Sequence, residues 1–150
     1  MKIENKEMLL YSMNTAADSA VRALKEEDEK EVFYRVGTAI HWIVDCFDRI
    51  REVVGLTQEN EKLLSAYHCA NNALKHCIDF TKPHKKNYGY DYPYSYPIEF
   101  QVFYVWKDLS DVSLRYAKQK DEYQRQLCGK HIESTIEETR KEINALFELI

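Results

Sequence analysis

At 150 residues, 45% of them hydrophobic and 31% charged, the chain has the size of one globular domain spanning residues 1–150, which argues against both a disordered segment and a multi-domain assembly. A formal charge of −4 and an isoelectric point near 5.8 give no overall attraction for nucleic acid, so such a contact needs a local patch, and a protein or small-molecule partner is favoured. Four glycines and three prolines are too few for a turn-rich all-β fold and leave helices as the main material.

The opening stretch carries Lys2, Glu4, Lys6 and Glu7 and lacks the apolar core of a signal peptide, and no later run has the length of a bilayer span. Cys46, Cys69, Cys77 and Cys128 form no CxxC pair and fall mostly in apolar-periodic segments. Reduced, packed thiols in a cytoplasmic protein with no membrane contact are expected.

From about Asn5 to Lys25, Leu9, Met13, Ala16, Ala20 and Leu24 recur at three- and four-residue steps, which places them on one face of a helix. The charged run Lys25 to Glu31 reads as a solvated helix end, and Asp28 with Glu31 suits the start of the next helix. Val32, Val36, Ile40, Ile43, Phe47, Ile50 and Val54 then hold helical spacing up to Gly55, a natural stop. Thr57 is a good cap for a third helix with a core stripe of Leu63, Tyr67, Ala70, Leu74 and Ile78, ending before Pro83. A last helix is predicted from about Gln119 to the C-terminus, with Tyr123, Leu127, Ile132, Ile136, Ile143, Leu146, Phe147 and Ile150 inside and Gly129 loosening it locally.

Between the third and last helices Tyr88, Tyr90, Tyr92, Tyr94 and Tyr96 alternate with other residues, and the alternation continues through Ile98, Phe100, Val102, Tyr104 and Trp106. A period of two means extended chain, and Pro93 and Pro97 forbid a central strand. The segment reads as a long aromatic arm, with an edge strand or short hairpin near Phe100 to Trp106, and Asp108 to Lys118 either begins the last helix or forms a short one of its own. The predicted fold is all-α: an antiparallel four-helix up-and-down bundle with a long aromatic crossover between helices 3 and 4.

Metal chemistry finds little to work with. A di-iron bundle places a Glu three residues before His, and the residues there are Thr38, Ser65, Ala73, Thr81 and Cys128. His41 and Asp45 lie one turn apart and offer two ligands at most, a pair that more often makes a surface hydrogen bond. Glycine-rich phosphate loops and nucleophile elbows are absent, and no metal or cofactor is expected.

The third helix is richer. His68, Asn72 and His76 follow one another at four-residue steps with Lys75 beside them, on the side roughly opposite the core stripe. Solvation or hydrogen bonds to the aromatic arm account for such a face, while stacked imidazole, amide and ammonium groups also suit a phosphate or a base.

The stretch Ala70-Asn71-Asn72-Ala73-Leu74-Lys75-His76 resembles the signature of the HEPN superfamily, helical bundles that include RNA-cleaving toxins and phage-defence proteins. In that family an Arg followed by a polar residue precedes a His by a few positions, and two protomers bring their motifs together in a cleft. The resemblance puts Asn71 at the Arg position, Asn72 at the polar position and His76 at the His position, and it implies a homodimer. A neutral Asn71 cannot stabilise phosphate as Arg would, so the chain looks like the noncatalytic interaction or regulatory members, in a defence or toxin–antitoxin setting.

The alternative is a metal-independent ribonuclease in which Arg35 or Arg125, each also followed by a His (His41 and His131), comes near His76 on folding. A third reading, single-stranded nucleic-acid binding, rests on Lys75, His76, Lys82, His84, Lys85 and Lys86 beside the tyrosine ladder. Against it, tyrosines of this kind pack on the bundle or on a second protomer.

Overall fold

The computed structural model describes residues 2–26, 28–87 and 100–150. The tyrosine ladder from Tyr88 to Tyr96, with Pro93, Pro97 and Ile98, lies outside the described residues. The described chain is mostly helical: α1 (Lys6–Glu26), α2 (Glu29–Val54), α3 (Gln58–Lys75), α4 (Ala117–Gln126) and α5 (Ile132–Glu148), with strands β1 (Thr81–Asn87) and β2 (Phe100–Trp106) between α3 and α4. None of these helices is long and apolar enough to cross a membrane.

The first two helices follow their periodicity. α1 buries Met13 and a run of small residues, Ala16, Ala17, Ala20 and Ala23, which lets it lie close along α2. Asp28 caps α2 by accepting from the backbone N–H groups of Lys30 at 3.1 Å and Glu31 at 3.4 Å. Val32, Val36, Ile40, Ile43, Phe47 and Ile50 are buried as expected, whereas Val54, in the last turn, is 51% exposed. Gly55 ends the helix at φ +80, its N–H donating to the Arg51 carbonyl at 3.1 Å.

α3 begins where Thr57 accepts from the Asn60 N–H at 3.2 Å, but it stops at Lys75 rather than running toward Pro83. Cys77 takes a left-handed conformation at φ +56. The Cys77 N–H then reaches the Leu74 carbonyl at 3.0 Å and the Ile78 N–H reaches that of Ala73 at 2.8 Å, which satisfies the carbonyls of the last turn. The buried face is also wider than the expected stripe: Leu64, Tyr67, Ala70 and Ala73 are buried, Leu63, Leu74 and Ile78 only partly. The cause is α4, which packs along the flank of α3 that a bare bundle would expose.

The predicted last helix is two helices. Gly129 sits at φ +78 in the turn between them. That turn is used by β2: the Trp106 N–H donates to the Lys130 carbonyl at 3.0 Å, and the Gly129 N–H donates to the Trp106 carbonyl at 2.8 Å. β2 pairs antiparallel with β1, Thr81 facing Trp106 and Asn87 facing Phe100, so the hairpin anticipated near β2 exists, its partner being the basic Thr81 to Asn87 stretch. In a two-stranded sheet every strand is an edge, which admits Pro83.

Trp106 joins the sheet to the helices. It is 1% exposed and meets Phe80 at 5.9 Å, Tyr67 at 6.0 Å and Tyr123 at 6.4 Å between ring centroids. Tyr67 ties α3 to α5 through a 2.7 Å hydrogen bond with the Thr139 hydroxyl, and Tyr123 donates to the Lys107 carbonyl at 2.6 Å. Burial pushes both phenols well above their ordinary value.

Candidate functional site

The motif residues of α3 diverge. Asn71 is 8% exposed and looks into an apolar groove between α2 and α3, lined with Phe33, Tyr34, Gly37, Leu74 and Lys75. Gly37 lets the Leu74 side chain lie close to α2, since a Cβ on it would lie 2.9 Å from a Leu74 methyl and make that side chain shift. One residue further on is 100° further round the helix, so Asn72 faces α4 and donates to the Gln119 side-chain oxygen at 2.8 Å. His76 caps the C-terminus of α3 and is exposed.

Asn72 and His76 line one cleft of about 420 Å³ together with Ile78, Ser113, Leu114, Arg115 and Tyr116. Its second wall, the connector into α4, is held by polar contacts. Asp108 accepts from the Ser110 N–H at 2.8 Å and from Gln124 at 2.9 Å, and these bonds hold its carboxyl below the usual range. Lys120 donates to the Ser110 and Val112 carbonyls, each at 2.8 Å. The Arg115 guanidinium lies 5.4 Å from the centroid of the Tyr116 ring, a cation–π contact. Among the described residues no carboxylate lines this cleft, and its polar lining residues are His76, Asn72, Ser113, Arg115 and Tyr116. Such a set has the donors that suit an anion such as phosphate.

The other candidates are placed elsewhere. His68 turns to α2, its Nε2 lying 3.4 Å from an Asp48 oxygen that also takes Arg51 at 3.1 Å. Lys75 belongs to the Asn71 groove. Lys82 is exposed on β1 and is not among the residues that line the His76 cleft, and Lys85 and Lys86 are strand positions of β1. Arg35 is held by Glu31 at 2.8 Å and Arg125 by Glu122 at 2.7 Å, and neither lines the His76 cleft. The arginine that does is Arg115, which the linear spacing of Arg and His does not single out. His41 lies 3.5 Å from Asp45 as an exposed pair, and no group of three or more potential ligands is gathered among the described residues.

Comparison with protein-family models, with curated proteins and with solved structures found no match.

Proposed function

We propose that the chain is a noncatalytic HEPN-like helical bundle, with α1, α2, α3 and α5 as its four up-and-down helices, acting as a homodimeric interaction or regulatory module in the cytoplasm. One observation carries the reading: Asn71, at the family's Arg position, lines a different groove from Asn72 and His76. The position that would stabilise a phosphate is therefore both neutral and turned away from the imidazole that would move the proton. Incubation of the purified protein with single-stranded RNA in chelator should leave the RNA intact. Cleavage that is abolished in His76→Ala would refute the proposal. Sedimentation should report twice the 17.8 kDa chain mass, and a monomer would remove the dimer from the reading.

A second reading, a metal-independent ribonuclease, is favoured by Arg115, which shares the His76 cleft with no carboxylate among the described residues of its lining. Arg115 would hold the nonbridging phosphate oxygens while His76 passes a proton between the ribose 2′-hydroxyl and the departing 5′-oxygen. It requires that His76→Ala and Arg115→Ala each abolish cleavage.

A further inference from the structure

Charge is unevenly distributed in this acidic chain. The two strands hold Lys82, Lys85 and Lys86 and no acidic residue, against a formal charge of −4 overall. Lys130, exposed in the turn that β2 pairs with, adds to the same end of the molecule. Two described carboxylates that flank these segments in sequence have other partners: Asp79 accepts from the Thr81 N–H at 2.9 Å and its hydroxyl at 2.7 Å, and Glu133 lies 3.9 Å from Lys25.

On this hairpin three rings form a stack. Phe103 lies between His84, opposite it in the strand register, and His131, which precedes the first residue of α5. The planes are nearly parallel, at 9° and 10°, with centroids 5.5 Å and 4.4 Å apart. Both imidazoles, at the two ends of the stack, are exposed. Exposed flat rings beside lysines are what a single strand uses: bases extend the stack and phosphates meet the ammonium groups, whereas the paired bases of a duplex offer no free face.

We infer that the outer face of the β1–β2 hairpin docks single-stranded nucleic acid, with Lys82 at a phosphate and His84 and His131 offering the ends of the ring stack to bases. The surface is separate from the His76 cleft and does not depend on what that cleft does.

Fluorescence anisotropy with labelled 12-nucleotide oligo(U) and oligo(dT), a 12-base-pair duplex and an oligo-glutamate peptide tests it, in low salt and across a salt series. Single strands should bind at least tenfold more tightly than duplex or peptide, with log affinity falling linearly with log salt. Lys82→Glu should weaken binding and make the salt slope shallower by about 0.7 or more, the amount lost with one single-strand phosphate contact. His84→Ala should weaken binding at least fivefold with the slope unchanged, because stacking releases no counterions. Both changes are at exposed residues, and a thermal melt establishes that each variant is folded. Absence of single-strand binding in low salt, equal binding of the peptide, or indifference to both substitutions would overturn the inference.

Discussion

Cys46 and Cys69 are buried on α2 and α3, and removal from water pushes their thiols from the ordinary 9.0 up to about 12 and about 11. A thiol with a raised value keeps its proton in the folded state longer than in the unfolded chain. The two groups therefore favour folding fully below about pH 9 and lose that contribution progressively as pH rises to about 12. They are also inert, since the thiolate is the reactive form. Cys77 is exposed and Cys128 partly so. A thiol reagent at pH 8 should label Cys77 first, Cys128 more slowly, and Cys46 and Cys69 only in denaturant. Rapid modification of Cys46 or Cys69 in native protein would contradict their placement.

At the level of elements, Cys77 is the residue that ends α3, and it does so in a conformation that a side chain disfavours. Cys77→Gly should therefore raise stability by about 0.5 to 1 kcal/mol, read from the midpoint of urea unfolding. A loss would mean that the Cys77 side chain contributes more than its backbone costs. This stop also shows what a sequence can and cannot display. α1, α2 and the starts of α2 and α3 are legible because periodicity and caps are local: Asp28 and Thr57 cap the two helices as their residue types suggest. The end of α3 is hidden because Cys stands where Gly usually does. β1 reads as a polar loop interrupted by Pro83 and becomes a strand only through pairing with β2. The break between α4 and α5 is marked by Gly129 but enforced by hydrogen bonds to Trp106, more than twenty residues earlier. His76 could be singled out from its own helix, whereas Arg115 reaches the same cleft only through the path of the connector.

For the whole molecule, the core runs without a gap from α1 through Trp106 to α5. Phe47 and Ile143, both fully buried, should each cost several kcal/mol on truncation, ~3 to 5 for Phe47→Ala and ~2 to 5 for Ile143→Ala. Losses below 1 kcal/mol at both, in chemical denaturation, would mean that the facing of α2 and α5 is wrong. The same three-dimensional arrangement separates the motif residues. If Asn71 differed from the HEPN motif that the stretch resembles only in charge, an arginine there would create a cleavage site. Because residue 71 opens on the α2–α3 groove and His76 on the other cleft, the arginine would be in the wrong place. The decisive measurement is metal-free RNA cleavage by Asn71→Arg, with a thermal melt showing the variant folded. The proposed function predicts intact RNA for variant and wild type alike; cleavage gained in Asn71→Arg and lost again in Asn71→Arg/His76→Ala would contradict it.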